Sequence, residues 1–116
     1  GENMSTLYEK IAAGEIPADI VYSDDEIVAF RDINPQAPTH VLIIPRRPIP
    51  TVLDLEAGDA ELVGRMVLVA GQIARDVGVD AGGYRLVFNC KEDGGQEVYH
   101  IHLHLLGGRK MSWPPG

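Results

Sequence analysis

Cysteine and basic residues are scarce in this chain, and each scarcity removes classes of function. The single cysteine, Cys90, has no partner for an internal disulfide and cannot build a cysteine metal cluster, which favours a reducing compartment. Only 10 Lys and Arg residues stand against 17 Asp and Glu, so the formal net charge is −7. This balance argues against a partner such as DNA or RNA, because backbone binding depends on neutralising phosphates with cationic side chains.

Long apolar runs and two common nucleotide-binding loops are also missing. No segment reaches transmembrane length, and the N-terminus lacks the charged-then-apolar pattern of a signal peptide. We therefore expect a cytoplasmic protein without a membrane partner. The chain has no Gly-x-x-x-x-Gly-Lys-Ser/Thr loop and no Gly-x-Gly-x-x-Gly after a strand, which argues against P-loop and Rossmann nucleotide binding.

Hydrophobic periodicity predicts one α+β domain over residues 4–116, and we expect residues 1–3, ahead of Met4, to be extraneous to it. The predicted elements are a short helix from Thr6 to about Ala13, strands at 20–22, 26–31, 40–45, 84–89 and 100–106, and a long helix from Asp59 to about Val77. We expect an antiparallel sheet of about five strands, whose last two form a hairpin closed by a short turn at 91–96. The long helix should cover its apolar face and leave the other face open for function.

Three of the four histidines alternate with aliphatic residues in the segment 100–106. Successive side chains of a strand point to opposite faces. We therefore expect His100, His102 and His104 on one face and the intervening aliphatic residues in the core. Imidazoles suit proton transfer, nucleophilic attack or metal binding near neutral pH.

Three interpretations of this row of imidazoles are open. The histidines are structural and satisfied by hydrogen bonds, or they bind zinc, or they perform nucleophilic catalysis. A zinc site would use His40 with His100 and His102, because Cα atoms four residues apart on a strand are separated by roughly 13 Å. In catalysis, His102 would attack a phosphorus or acyl centre between an orienting and a charge-stabilising neighbour. The paired glycines of the turn 93–96 could bring backbone N–H groups to an anion.

The histidine segment resembles the signature of the histidine triad (HIT) superfamily, His-φ-His-φ-His-φ-φ, where φ is hydrophobic. Further matching segments are Glu15–Ala18, Phe30–Ile33, Pro35–His40, Gly94–Gln96 and Trp113–Gly116. Together they resemble the HINT branch, the histidine triad nucleotide-binding proteins. The resemblance implies a HIT-like fold and a homodimeric purine nucleoside phosphoramidase. Such an enzyme hydrolyses the P–N bond of adenosine or guanosine 5′-phosphoramidates through a nucleotidyl-histidine, releases AMP or GMP, and needs no metal or other cofactor.

The resemblance also implies roles for individual residues. His102 matches the nucleophile, His104 the histidine that contacts the phosphate, and His100 and His40 the histidines that orient the nucleophile. Asp32 matches the carboxylate that accepts the ribose hydroxyls. The implied nucleotide-binding set is Asp32, Ile33, Asn89, Gly95, Gln96, Glu97, Val98, Leu7, Tyr8, Ile11 and Phe30, with an apolar slot for the purine. Trp113 is expected to reach towards the site of the partner subunit.

Glu97 departs from the animal HINT proteins, which have a serine near the leaving group at this position. It resembles the bacterial members instead, whereas the tail Trp113–Gly116 resembles the animal form. The same residues also fit a nucleotide-responsive binding or regulatory protein with little catalysis. Other triad enzymes, which cleave dinucleoside polyphosphates or transfer nucleotides, match less well, because the transferases carry glutamine at the position of His104.

Overall fold

The computed structural model describes residues 6–116, so the expectation for residues 1–3 lies outside the described part. The elements within this range are α1 (Leu7–Ala12), β1 (Ile20–Ser23), β2 (Ile27–Arg31), β3 (Thr39–Pro45), α2 (Ala60–Val77), β4 (Tyr84–Val87), α3 (Lys91–Gly94) and β5 (Leu103–Gly107). Two 3₁₀ turns, at Val52–Asp54 and Ala57–Asp59, connect β3 to α2. In the described range no helix is long and apolar enough to cross a membrane.

The strands form an antiparallel sheet in the order β1-β2-β3-β5-β4. The predicted α+β architecture is therefore confirmed. The central strand β3 is buried along its whole length, as its continuous apolar run predicts. Strand β4 lies at one edge of the sheet, where its outer backbone groups have no strand beside them among residues 6–116.

Helix α2 covers one face of the sheet and builds the main core. Its buried residues recur at helical spacing and are Leu62, Met66, Val69, Ala70, Ile73 and Ala74. They belong to one apolar cluster with sheet residues such as Ile43 and Leu105. Gly78, in the left-handed region at φ +81°, ends the helix, since a residue without Cβ adopts this conformation without strain.

Helix α1 covers part of the sheet face that was expected to be open. The Thr6 side chain accepts a hydrogen bond from the Glu9 N–H at 3.1 Å and so begins the helix, as its sequence predicts. Ile11 then packs against Phe30 and Leu42 in a second apolar cluster. The functional face is therefore bounded by α1 rather than fully exposed.

The connection between β4 and β5 differs from the short turn that was predicted. Strand β4 ends at Val87 instead of Asn89, and β5 begins at Leu103 instead of His100, although the two strands pair antiparallel as expected. The long connection includes α3 and is tied to distant parts of the chain. The Gln96 side chain accepts from the Lys91 N–H at 2.9 Å and donates to the Pro50 carbonyl at 2.7 Å. Such tertiary hydrogen bonds leave no local pattern in the sequence.

We predict that Ile73→Ala lowers the free energy of unfolding by about 2–5 kcal/mol, because it removes buried contacts and leaves a cavity. Ile73 is 1% exposed in the buried face of α2. The neighbouring Gln72 is exposed, and Gln72→Ala should change stability by no more than about 0.5 kcal/mol. Urea unfolding of both variants measures the difference, and equal losses would contradict this orientation of α2.

Candidate active site

A cleft of about 550 Å³ brings together residues that lie far apart in the sequence. Three of the predicted catalytic histidines line it: His40, His102 and His104. Of the predicted nucleotide-binding residues, the cleft is lined by Leu7, Tyr8, Asp32, Ile33, Asn89, Gly95, Glu97 and Val98. The sequence pattern thus points to one place in the structure.

A smaller and mostly apolar cavity of about 140 Å³ adjoins the cleft. The two share Leu7, Tyr8, Asp32 and Ile33 in their linings. Ile11 and Phe30, which the resemblance places around a purine, line this smaller cavity together with residues of the segment 16–18. An apolar slot therefore opens directly into the histidine cleft.

Three predicted site residues lie outside both linings. The His100 side chain is fully buried, and its Nε2–H donates to the Pro45 carbonyl at 2.7 Å. Gln96 is also buried and holds the connection before β5. Trp113 is 82% exposed in the C-terminal tail. The expected single row of three imidazoles is therefore wrong in detail, because β5 begins only after His102.

Asn34 and Gln36 also line the cleft, although no sequence pattern marks them as site residues. Gln36 acts through its backbone, since its N–H donates to His40 Nδ1 at 3.0 Å. A backbone donor has no sequence signal beyond its place in the loop before β3. The hint in the sequence was that both residues follow Asp32 closely along the chain.

The hydrogen bonds of His102 determine which of its ring nitrogens can react. His102 Nδ1 lies 2.8 Å from the backbone carbonyl oxygen of His100. A carbonyl oxygen only accepts, so Nδ1 carries the proton and donates it to this bond. In the neutral ring, Nε2 then keeps a free lone pair. His100 thus orients the predicted nucleophile through its backbone, while its own ring is held by Pro45.

A second chain of hydrogen bonds sets the tautomers of His40 and His104. Because Gln36 donates to His40 Nδ1, the proton of neutral His40 resides on Nε2. His40 Nε2 lies 2.9 Å from His104 Nδ1 and 3.5 Å from an Asp32 carboxylate oxygen. His40 Nε2–H therefore donates to His104 Nδ1, and because Nδ1 accepts, the proton of neutral His104 resides on Nε2. This buried N–H has no hydrogen-bond partner within the described chain.

Burial keeps these imidazoles neutral at physiological pH. Desolvation lowers the pKa of His40, His100 and His102 below the usual value of 6.5. The pKa of His104 falls to about 4, because the neighbouring His102 and His40 add to the effect of desolvation. For His102, desolvation outweighs the hydrogen bond to His100 and the charges of Asp32 and Glu97, which raise its pKa.

Tyr8 packs against the predicted nucleophile from α1. Its ring meets the His102 ring edge-on with centroids 4.9 Å apart, and it meets Phe30 similarly at 5.4 Å. Burial raises the pKa of Tyr8 to about 12, and the charges of Asp32 and Glu97 act in the same direction. Tyr8 therefore remains a neutral phenol. Its ring restricts the His102 ring and closes one side of the cleft.

The zinc site considered as an alternative, with His40, His100 and His102 as ligands, does not assemble, because the His100 ring is buried against Pro45. A different set, Asp32, His40 and His104, offers one ligand atom each within 4.8 Å of one another. In this set, His40 Nε2 and His104 Nδ1 are already joined by a hydrogen bond. An ion there would have to displace the proton that links the two rings.

Comparison with known proteins identifies the family to which this chain belongs. The family model for the HIT domain matches residues 13–111. A purine nucleoside phosphoramidase from Escherichia coli is 58% identical over 106 residues, which is 91% of this chain and 89% of that protein. A HIT family hydrolase from Legionella pneumophila has a TM-score of 0.95 and 57% identity, covering 97% of this chain and 100% of that one. A histidine triad protein from Clostridium difficile has a TM-score of 0.91 and 41% identity, covering 97% of each chain. On this evidence the chain belongs to the HIT domain family.

Proposed function

We propose that this protein is a purine nucleoside phosphoramidase, a hydrolase that cleaves the P–N bond of adenosine or guanosine 5′-phosphoramidates. The observation that carries the proposal is the neutral His102, whose Nε2 lone pair is left free by the bond from Nδ1 to the His100 carbonyl. Close identity to an Escherichia coli enzyme of that name supports the same reaction. The similarity of this chain to a purine nucleoside phosphoramidase and to a HIT family hydrolase favours hydrolysis over binding alone.

The reaction would proceed by two displacements at phosphorus. The His102 Nε2 lone pair attacks the phosphorus, an N–P bond to the imidazole forms, and the P–N bond to the amine breaks. The amine leaves with a proton taken up from the solvent. Water then attacks the phosphorus of the nucleotidyl-histidine, the imidazole N–P bond breaks, the proton of the water passes to the solvent, and the nucleoside monophosphate departs. His102 regains its lone pair, so the cycle closes without a redox partner.

His104 is suited to hold the phosphoryl group during both steps. Its Nε2–H is buried and unpartnered in the described chain, and the residue lines the cleft beside His102. A phosphate oxygen would supply the acceptor that this donor lacks, and donors placed before charge develops stabilise a transition state. His40 would hold the ring of His104 in position through the bond between their nitrogens.

The adjoining apolar cavity is suited to the purine, and Asp32 to the ribose. Phe30 and Ile11 supply apolar surface there, and Leu7 and Ile33 stand where the cavity meets the cleft. Asp32 also borders both spaces and, as a carboxylate, accepts hydrogen bonds from hydroxyls. Asn89 and the backbone near Gly95 would add contacts across the cleft. The base and sugar would then leave the phosphorus beside His102.

Glu97 would act on the leaving amine. It lines the cleft near His102 and is exposed to solvent there. Its charge raises the pKa of both His102 and Tyr8, so the carboxylate acts on the reacting centre electrostatically. A carboxylate repels phosphate but attracts an amine that gains a proton as it departs. We therefore assign Glu97 to the amine rather than to the phosphate.

We also propose a homodimer that forms through α2 and the edge strand β4. Leu68 and Val67 are 72% and 43% exposed on α2, and Tyr84 is 38% exposed on β4. The Tyr84 hydroxyl lies 3.5 Å from where a Cβ on Gly71 would stand, so β4 and α2 meet in one apolar surface. An unpaired edge strand beside such a surface favours association. Trp113 would then reach towards the partner's site, and we place the dimer in the cytoplasm.

We predict that His102→Ala lowers kcat for an adenosine phosphoramidate by at least about 1,000-fold, because the attacking atom is removed. Binding of AMP, measured by calorimetry on the same variant, should stay within a few-fold of wild type. Wild-type turnover should survive dialysis against EDTA.

Three results would contradict this assignment. Turnover that persists in His102→Ala would remove the histidine nucleophile. Activity lost with EDTA and regained with zinc would point to an ion at Asp32, His40 and His104. AMP binding by a wild type that never turns over would favour the binding-protein alternative.

The pH profile provides an independent test of the neutral nucleophile. The active form of His102 is unprotonated and its pKa lies below 6.5, so kcat/KM should fall to half of its maximum only at a pH below 6.5. A solvent-exposed imidazole would instead lose half of its activity near pH 6.5. Uncatalysed hydrolysis of the substrate at each pH must be subtracted. Half-maximal kcat/KM at or above pH 6.5 would refute a buried nucleophile.

We predict that Leu68→Glu converts the dimer to a monomer, since it places a charge in the apolar surface of α2. Leu53 is equally exposed, at 71%, but lies in the 3₁₀ turn before α2, and Leu53→Glu should leave the assembly unchanged. Sedimentation velocity distinguishes the two variants. A wild type that sediments as a monomer, or a Leu68→Glu variant that stays dimeric, would exclude this interface.

A further inference from the structure

Besides the apolar cavity, a second cavity adjoins the cleft. It has a volume of about 300 Å³ and lies on the side of His40 and His104. Gln36, His40, Asn89 and His104 line both spaces. The apolar cavity assigned to the purine shares no lining residue with this second cavity. A molecule that reaches from the purine cavity across the cleft can therefore extend beyond the phosphorus into it.

This second cavity is cationic, although the whole chain is acidic. Arg85 and Arg109 line it, and both also line a third cavity of about 300 Å³ together with Lys110. Among residues 6–116 no Asp or Glu lines either cavity, whereas the chain has 17 acidic residues against 10 basic ones. We call the two cavities together the cationic groove, defined by Arg85, Arg109 and Lys110.

The two arginines of the cationic groove are positioned by carbonyl groups and are not neutralised. Arg85 Nη2 donates to the Ser112 carbonyl at 2.9 Å, and Arg109 Nη2 donates to the Gln36 carbonyl at 3.0 Å. Within residues 6–116 neither guanidinium has a carboxylate oxygen within 4.0 Å. A guanidinium has five N–H donors, so each retains several for an anion.

Other arginines of the chain show the contrast. Arg47 pairs with Asp59, and Arg65 pairs with Asp24 and Glu26. Carboxylates are thus abundant enough to pair with surface arginines elsewhere, yet none from the described part of the chain lines the cationic groove. Two fixed, unpaired guanidinium groups beside a reaction centre form a site of complementary charge for a carboxylate or phosphate.

We propose that the cationic groove is a subsite for an anionic group, a carboxylate or a phosphate, carried by the amine that leaves. The inference rests on the proposed P–N hydrolysis and specifies its substrate class. The purine occupies the apolar cavity, the phosphorus lies at His102, and the amine projects past His104 towards Arg85 and Arg109. The amine part is then an amino acid or an aminoalkyl phosphate rather than a simple alkylamine.

The test compares three adenosine 5′-phosphoramidates whose amine parts are glycine, glycinamide and 2-aminoethyl phosphate. Glycine and glycinamide have nearly the same size and differ in charge, so the ratio of their kcat/KM values isolates the anion. We expect wild type to favour the glycine adduct over the glycinamide adduct by about tenfold, and this ratio to fall as salt is raised. If wild type also favours the 2-aminoethyl phosphate adduct over the glycinamide adduct by about tenfold, the subsite accepts both anions. If it favours only the glycine adduct, the anionic group is a carboxylate.

Substitutions in the groove locate the preference. Arg85→Gln should reduce the ratio several-fold, Arg85→Lys should restore part of it, and the double variant with Arg109→Gln should bring it close to unity. Arg75→Gln is the matched control, because Arg75 is exposed on α2 and lines none of these cavities. It removes the same charge and should leave the ratio at the wild-type value.

The outcomes separate this inference from the proposed function. If wild type hydrolyses the glycine and glycinamide adducts equally well, the anionic subsite is refuted and the phosphoramidase stands. The subsite is refuted in the same way if the preference survives in the double variant or is lost in Arg75→Gln. If wild type hydrolyses none of the three adducts, it is the proposed function that fails.

Discussion

The hydrogen bond from His102 Nδ1 to the His100 carbonyl is the interaction on which the rest of the site depends. It assigns the ring proton to one nitrogen and leaves the other as a nucleophile. The bond forms where the backbone before β5 lies outside the sheet, so that the carbonyl of His100 is directed to a side chain two residues ahead. Gln96 and the ring of His100 hold this backbone in place through their bonds to Pro50 and Pro45. The fully buried imidazole of His100 therefore anchors the imidazole that is proposed to react.

Burying several imidazoles together costs desolvation free energy, and the same desolvation keeps the rings neutral. Desolvation and mutual proximity lower the pKa of His40, His102 and His104, so the cluster remains neutral where a free imidazole begins to charge. Neutral rings can donate and accept in a directed chain, here from Gln36 to His40 and on to His104. This chain ends in a buried N–H without a partner in the described residues. An unsatisfied buried donor is costly in a folded protein, and it is well explained when a ligand supplies the acceptor.

Charge is distributed unevenly around this neutral centre. Asp32 and Glu97 line the cleft, whereas no acidic residue within the described range lines the cationic groove on the far side of His104. The excess of acidic over basic residues, which argues against nucleic-acid binding, therefore says little about the local potential at the site. A small charged substrate responds to these few nearby groups. The division into an apolar cavity, a histidine cleft and a cationic groove would give each part of the proposed phosphoramidate substrate a chemically distinct environment.

Several features were determined by the sequence alone. Helical spacing and a terminal Gly78 defined α2, a continuous apolar run defined β3, and the alternation of histidines pointed to the candidate catalytic segment. These are short-range patterns, and they can be recognised because side chains repeat with a period of 3.6 residues in helices and 2 residues in strands. Tertiary structure alone decided which carbonyl fixes the tautomer of His102, that the His100 ring faces Pro45, and that the connection before β5 is long. It also decided that Arg85 and Arg109 meet beside the cleft. Such outcomes depend on hydrogen bonds and charges between residues distant in the chain, and no local periodicity records them.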